Sequence, residues 1–214
     1  MPRPSRNLDR RLIEAARELL PETGLGGLSV RAVARRAGVN AGMFHYHFHG
    51  KKQFVRRVLE EVYGDFLVSF REAAASPGGV RERLRRVLTA YGRFAREHRE
   101  MYALMMRELA NAQPDMIGFA RANFSRHAAV MMALMDEGRR KGAVRDLPCP
   151  VLCMFAMSSM GVPSVAATAL LAAGRVKIGG LDAREFARMA LSDEMIETRA
   201  DMVLAALAPP RRKR

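Results

Sequence analysis

The chain has 214 residues and a formal net charge of +14 at pH 7, which leaves room for one or two domains with a substantial core. Its only cysteines, Cys149 and Cys153, are spaced C-x3-C, which excludes a disulfide framework and fits no usual zinc spacing. The chain starts without an apolar run, so we expect no secretory signal and a cytoplasmic protein.

The first part of the chain carries more than its share of the positive charge. Residues 1–60 hold 12 Lys and Arg against 5 Asp and Glu, a balance of +7, and the remaining 154 residues also carry +7. A basic front end suits a polyanion, because neutralising phosphates releases counterions and favours binding. A generally basic proteome gives the same excess, so charge alone does not decide the partner.

Residues 29–54 predict two short helices joined by a tight turn at Gly38. Glycine suits the left-handed end of a helix, and Asn40 can cap the helix that follows. That second helix would bury Phe44 and Phe48, which are four residues apart, and leave its other residues pointing elsewhere. Two short helices with this connection and a basic surround are typical of a DNA-reading helix-turn-helix.

This block resembles the DNA-binding domain of the TetR family of bacterial transcriptional repressors over about residues 8–60. The family pattern implies an amphipathic first helix, a glycine-rich turn, a helix begun by Ser29, and a recognition helix with an aromatic and histidine ending before a lysine. Residues 45–48 and Lys51 match that ending. The first helix and the turn correspond to Leu12, Ile13, Ala16, Leu19, Leu20, Gly24, Gly26 and Gly27.

Phosphate contacts are expected near the starts of two helices. The resemblance assigns such a contact to Lys51, which with Lys52 opens a helix where positive charge is disfavoured unless an anion lies nearby. Ser29 can cap its helix and also present its hydroxyl to a phosphate, and Arg31 projects from the same turn. Contacts of this kind position a protein but carry no sequence information. Four further arginines could enter a minor groove or belong to a disordered tail: Arg3, Arg6, Arg10 and Arg11.

Base reading would fall to the recognition helix. Asn40 could read adenine, but capping competes for the same side chain, and we favour the cap. Ala41 stands where the family often has Lys, and Met43 where it often has Thr, so thymine methyl contacts and DNA shape are expected to supply specificity. His47 is expected to pack or to contact a phosphate through a ring N–H. The candidate base-reading residues are Ala41, Gly42, Met43, His45 and Tyr46.

We predict no metal site, no cofactor and no enzymatic activity. His45, His47 and His49 form an H-x-H-x-H tract, but helical residues two apart diverge by roughly 200° and do not converge on one ion. The sequence contains no G-x-S-x-G, HExxH, P-loop or GxGxxG motif.

The rest of the chain predicts helix after helix and no strand. The fold class is therefore expected to be all-α, with about nine helices. The predicted parts are a three-helix DNA-binding domain over residues 1–50, an effector-binding and dimerisation bundle over 51–208, and a basic tail over 209–214. Helices are predicted over 51–75, 80–99, 101–110, 115–141, 149–173 and 183–207, the first of which would link the two domains.

Residues 147–174 form a run without a single charged side chain. Its length allows a membrane span. A helix that is apolar on all sides is also what a soluble protein buries between its own core and a partner subunit. We therefore expect helices 149–173 and 183–207 to pair with their copies in a homodimer, and a membrane-anchored protein is the alternative.

Ten of the 15 methionines lie between residues 101 and 160. Methionine adapts to varied apolar shapes, which suits a soft ligand pocket as well as ordinary core packing. The resemblance implies a ligand cavity in this domain. The candidate ligand-binding residues are Tyr102, Met105, Met106, Arg107, Asn123, His127 and Ser158.

These features predict a transcriptional repressor that binds a palindromic, double-stranded operator as a homodimer. A small, mainly apolar effector would release it by favouring one separation of the two DNA-binding heads, through movement of helix 51–75. The alternatives are the membrane-anchored protein and a non-specific architectural DNA-binding protein without an effector.

Overall fold

The structure, a computed structural model, describes residues 6–48, 50–174 and 177–210. Within these ranges ten helices supply nearly all of the regular structure, so the predicted all-α class is confirmed. The helices are α1 (Arg6–Gly27), α2 (Val30–Ala37), α3 (Ala41–Phe48), α4 (Lys51–Ala75), α5 (Val80–Glu97), α6 (Arg99–Ala110), α7 (Pro114–Arg140), α8 (Cys149–Ala173), α9 (Ala183–Ala190) and α10 (Asp193–Leu207).

The chain divides into two compact units between Phe66 and Leu67, inside α4. We call the residues up to Phe66 the N-terminal unit and those from Leu67 the C-terminal unit. The sequence placed a boundary at residue 50, whereas the first part of α4 lies in the N-terminal unit. The reason is that Phe54 of α4 packs against the aromatic residues of α3.

Three aromatic rings form the centre of the N-terminal unit. The ring centroids of Phe44 and Phe48 in α3 lie 5.6 Å apart, and each lies 4.8 Å from the ring of Phe54. All three side chains are buried, as are Leu12 and Ala16 of α1. The predicted burial of Phe44 and Phe48 is confirmed, and their tilted and edge-to-face packing adds to the area that they bury.

The first helix is longer than the sequence predicted. α1 continues to Gly27, so the predicted turn at Gly24, Gly26 and Gly27 is wrong. Glycine adopts helical dihedral angles at a cost of only roughly 1 kcal/mol relative to alanine, so a glycine-rich segment does not by itself end a helix. The side chain of Leu28, which is 1% exposed, anchors the chain immediately after the helix.

α8 is the central helix of the C-terminal unit. It contacts α5, α6, α7, α9 and α10, and its buried residues include Leu152, Ala156, Met160 and Ala167. By length and composition alone α8 is long and apolar enough to cross a membrane. Its contacts with five other helices are those of a core helix in a helical bundle.

The predicted helix over 183–207 is wrong in one respect, because two helices, α9 and α10, occupy this range. They are separated at Leu191 and Ser192. The Ser192 hydroxyl oxygen accepts a hydrogen bond from the Met195 N–H at 3.1 Å, and Arg96 donates to the Leu191 carbonyl oxygen at 3.3 Å. These partners satisfy backbone groups that a helix end leaves unpaired.

A short hairpin precedes α9, although the sequence pattern predicted no strand. Strand β1 (Lys177–Ile178) pairs antiparallel with β2 (Leu181–Asp182). The two connecting glycines, Gly179 and Gly180, have φ values of +57° and +86°. A two-residue hairpin turn of type I′ requires positive φ at both positions, which glycine adopts without strain.

Candidate nucleic-acid interface and effector site

The turn between α2 and α3 has the geometry that its residues predicted. Ser29 caps α2, since its Oγ accepts a hydrogen bond from the Ala32 N–H at 3.0 Å. α2 ends at Gly38, which is left-handed with φ +64° and ψ +39°. The Val39 N–H donates to the Ala34 carbonyl oxygen at 3.0 Å, so the chain reverses without leaving that carbonyl unpaired.

Asn40 caps α3, as the sequence favoured. Its Oδ1 accepts a hydrogen bond from the Gly42 N–H at 2.8 Å. Reading adenine requires the oxygen and the NH₂ group of an asparagine together. The cap therefore competes with the adenine contact, and Asn40 acts first as a structural residue.

α3 presents a mixed apolar and aromatic face to the surface. Met43 is 42% exposed and Tyr46 is 46% exposed. Gly42 is exposed and Ala41 half-buried. The side chain of His45 lies outside the described part of the chain, as does all of His49.

The predicted DNA contact of His47 is wrong, because its ring is inside the N-terminal unit. The side chain is 1% exposed, and Nδ1 contacts Oδ1 of Asp9 in α1. His47 lies three residues after Phe44 on α3, and helical residues three apart share a face. The packing alternative for this histidine is therefore the correct one.

Basic and hydroxyl side chains lie at the surface at the starts of α2 and α4. Ser29, Arg31, Lys51 and Lys52 are all exposed. Ser29 and Lys51 flank α2 and α3 in the sequence, and the phosphate contacts expected of these two residues stay predictions.

Arg10 and Arg11 belong to α1, so the alternative of a disordered tail is wrong for these two residues. Arg11 donates through Nη2 to the Ala37 carbonyl oxygen at 2.6 Å. Its guanidinium is therefore engaged with the end of α2. Arg3, the side chain of Arg6 and residues 211–214 lie outside the described part of the chain.

Three helices of the C-terminal unit bring a polar aromatic cluster together. The hydroxyl oxygens of Tyr91 in α5 and Tyr102 in α6 are 2.7 Å apart and share a hydrogen bond. The ring of His127 in α7 lies 6.2 Å from that of Tyr91, 6.0 Å from Phe70 and 5.6 Å from Phe124, measured between centroids. We call Tyr91, Tyr102 and His127 the polar cluster.

Tyr91 was not among the predicted ligand-binding residues. Its side chain is buried. A signal was present in its residue type, because a buried tyrosine hydroxyl usually has a hydrogen-bond partner. The identity of that partner, Tyr102, depends on tertiary packing that the sequence pattern does not contain.

The other predicted ligand-binding residues fall into two groups. Met105 is buried, Met106 is half-buried, and the half-buried Asn123 donates through Nδ2 to the Phe119 carbonyl oxygen at 3.0 Å. Arg107 and Ser158 are exposed, so their predicted place inside the bundle is wrong. Arg107 pairs with Glu108, and the Ser158 hydroxyl donates to a carbonyl of its own helix, as serine within a helix often does.

The polar cluster carries no charge at neutral pH. Burial lowers the pKa of His127 to about 4. Burial also raises the pKa of Tyr102, and the hydrogen bond shared with Tyr91 partly offsets this rise. Such a cluster offers hydrogen bonds to a neutral polar group without presenting a counter-ion.

Metal-binding side chains do not gather in the described ranges of the chain. Among these residues no group of three or more His, Cys, Asp or Glu side chains is placed to hold a metal ion. Both cysteines are free thiols. Cys153 is buried, and this burial raises the pKa of its thiol to about 11.

Comparison with known proteins identifies the family. Residues 12–58 match the bacterial regulatory proteins of the tetR family, and residues 77–164 match the tetracyclin repressor-like C-terminal domain. The chain belongs to the TetR family of transcriptional regulators. Regulators of this family bind DNA and act as dimers with small-molecule effectors.

Individual TetR-family relatives are distant in sequence. The probable HTH-type transcriptional regulator YttP of Bacillus subtilis is 23% identical over 155 residues, which cover 72% of this chain and 75% of YttP. A TetR/AcrR-family regulator from Thermobifida fusca has a TM-score of 0.67 and 22% identity, covering 96% of this chain and 100% of that one. Bacillus subtilis FadR in complex with stearoyl-CoA has a TM-score of 0.68 and 14% identity, covering 92% and 98%.

We expect the TetR-family regulator to lose about 2 kcal/mol of stability between pH 7 and pH 5 through His127. The ordinary pKa of histidine is 6.5 and that of folded His127 is about 4, so the unfolded chain binds more protons between these values. Stability therefore falls as the pH falls through this window. Urea unfolding of the wild-type protein at both pH values measures the loss.

His127→Phe is the matched variant for this measurement, because a phenyl ring keeps the aromatic packing and has no proton to bind. The difference in unfolding free energy between pH 7 and pH 5 should shrink by about the same 2 kcal/mol. An unchanged pH dependence in the variant would show that His127 isn't the group responsible.

Proposed function

We propose that this regulator is a cytoplasmic repressor that binds a palindromic operator as a homodimer and is released by a small, mainly apolar effector. The observation that carries the proposal is the left-handed turn at Gly38. It joins two short helices, the second of which buries its phenylalanines and exposes Met43 and Tyr46. This is the arrangement in which a recognition helix enters a major groove.

Phosphate contacts would fix the register of the protein on DNA. Ser29 and Arg31 lie at the start of α2, and Lys51 and Lys52 lie at the start of α4. A lysine at a helix N-terminus is opposed by the helix dipole, and a phosphate beside it would offset that cost. These contacts supply affinity that falls with salt and does not depend on sequence.

Base contacts would come from Ala41, Gly42, Met43, His45 and Tyr46. None of them is an Arg, Lys, Asn or Gln, the residue types that most often read guanine or adenine. Apolar contact with thymine methyl groups suits the exposed Met43 side chain. Sequence-dependent DNA shape would supply the rest of the specificity.

The dimer would form through the outer face of α8. Val151, Met154, Phe155 and Val162 are 44% to 68% exposed on this helix, and Met202 of α10 is 65% exposed. Positions 151, 154, 155 and 162 follow the spacing of one helical face. An exposed apolar stripe of this kind is typical of a protein–protein interface, and two-fold pairing would match a palindromic operator.

The effector would bind inside the C-terminal unit, close to the polar cluster. Met105, Met106 and Asn123 are the other predicted ligand residues that are at least half-buried there. Methionine and aromatic side chains favour an apolar ligand, and the uncharged cluster favours a neutral polar group on it. FadR, solved with stearoyl-CoA, shows a regulator of the same fold with a long-chain acyl ligand.

Release from DNA requires the effector to prefer one conformation of the dimer. A ligand with equal affinity for both conformations shifts nothing, however tightly it binds. α4 runs from the N-terminal unit into the C-terminal unit, so we propose that its movement sets the separation of the two recognition helices.

Two substitutions separate phosphate contact from base reading. Lys51→Ala should weaken binding to every duplex and lower the slope of log K against log salt by about 1. Met43→Ala should change the preference at one base position and leave binding to random DNA unchanged. Affinities are measured by fluorescence anisotropy on an operator selected from a random library and on a scrambled duplex.

Lys177→Ala is the control, since it removes the same charge from an exposed position of the C-terminal unit. It should leave the salt slope unchanged. A changed base preference in Lys51→Ala, or equal losses on both duplexes in Met43→Ala, would contradict the roles given to these residues. Failure of the wild-type protein to prefer any sequence would instead favour a non-specific architectural DNA-binding protein.

Met154→Glu should weaken the dimer at least about tenfold, because each subunit would bring a charge into an apolar interface. Met154 is 68% exposed in the single chain, so the substitution spares the core. Sedimentation equilibrium measures the dissociation constant. Val68→Glu, at an exposed apolar position of α4, is the control, and an unaffected dimer in Met154→Glu would rule out this face.

A further inference from the structure

The first helix, α1, contacts both helices of the helix-turn-helix through two polar side chains that are two positions apart in its sequence. Arg11 contacts the end of α2, and Asp9 contacts α3. Neither side chain was expected to do so from the sequence, which left Arg11 either to a minor-groove contact or to a disordered tail and made no assignment to Asp9.

Arg11 contacts the turn itself. Its Nη2 donates to the carbonyl oxygen of Ala37 at 2.6 Å and to that of Gly38 at 3.4 Å. The last carbonyls of a helix have no partner inside it and form the negative end of its dipole. A guanidinium at this position therefore stabilises the end of α2 and restrains the residue at which the chain bends.

Asp9 contacts the other end of α3. Oδ1 of Asp9 and Nδ1 of His47 are both buried and lie against each other. The His47 side chain is 1% exposed, and the next residue, Phe48, belongs to the aromatic centre. The contact ties the last turn of α3 to α1.

α3 is therefore restrained before its first residue and near its last. Between these points lie Met43 and Tyr46, the exposed candidates for base contact. The packing of Phe44 and Phe48 restrains one side of the helix. Apolar packing tolerates small rotations and shifts more readily than the Arg11 hydrogen bond and the close polar contact between Asp9 and His47 do. Base contacts need a reading helix held to within roughly 0.5 Å of its productive position.

We propose that Asp9 and Arg11 are positioning residues for sequence reading: they hold α3 in register with the base edges and do not contact DNA themselves. This inference rests on the proposed function, since it requires that α3 reads sequence. It predicts that losing either contact lowers discrimination between sequences more than it lowers general affinity for DNA.

The test compares Arg11→Gln and Asp9→Asn in the full-length protein, each with a matched control on α1. Arg10→Gln removes the same positive charge from the adjacent residue, which points about 100° away around the helix. Glu14→Gln removes the same negative charge from an exposed position. Affinities are measured on a duplex that the wild-type protein enriches from a random library and on a scrambled duplex of equal length.

A sequence-specific protein typically binds its own site about 10³-fold or more tightly than other DNA. We expect Arg11→Gln and Asp9→Asn each to lower the ratio of affinities for the selected and the scrambled duplex by about tenfold. Each control should keep the wild-type ratio. On the scrambled duplex Arg11→Gln should lose no more affinity than Arg10→Gln. Arg11→Lys, which keeps a charged donor, should retain more of the ratio than Arg11→Gln.

A merely structural role gives a different result. Partial unfolding removes binding-competent protein and lowers the affinity for both duplexes by the same factor, so an unchanged ratio overturns the proposal. Thermal unfolding identifies a variant that does not fold. If Arg11→Gln does not fold, Asp9→Asn decides, because a folded Asp9→Asn with the wild-type ratio overturns the proposal. A wild-type protein that enriches no sequence overturns the proposed function instead, and the positioning role with it.

Discussion

The left-handed turn at Gly38 is the constraint on which the DNA-binding geometry depends. At a φ of +64° a residue with a β-carbon is strained by roughly 1–2 kcal/mol, whereas glycine is not. The turn redirects the chain while the N–H groups of Gly38 and Val39 donate to the carbonyl oxygens of Arg35 and Ala34, so these two carbonyls stay paired at the end of α2. The position of α3, with Phe44 inside and Met43 outside, follows from this one bend.

α3 and α8 are alike in that one face of each helix packs in the core and the other face exposes apolar residues at the surface. On α3 the exposed residues are few and suit base edges, whereas on α8 they form a stripe that suits a second subunit. The inner face of α8 also accommodates the polar cluster. A β-carbon at Gly161 would lie 2.3 Å from the hydroxyl of Tyr102, so a larger residue there would displace the hydrogen bond between Tyr102 and Tyr91.

Local signals in the sequence predicted most of the fold and part of the site. Helix 51–75 was predicted with its observed ends, because its apolar period is long and residues 76–79 break it. The caps at Ser29 and Asn40 were also correct, since each depends on residues no more than three positions away. The contact of His47 with Asp9 and the pairing of Tyr91 with Tyr102 were missed, because in each case the two partners lie on different helices. The break in 183–207 was also missed, and one of its partners, Arg96, lies on α5.

The most direct test of the central claim is the operator affinity of Gly38→Asn and Gly38→Val, with circular dichroism confirming that the helices form. Asparagine adopts left-handed backbone angles far more readily than a β-branched residue. The account predicts that Gly38→Asn keeps most of the wild-type affinity and that Gly38→Val loses about tenfold or more. Wild-type affinity in Gly38→Val would contradict it, because DNA binding would then not depend on this turn.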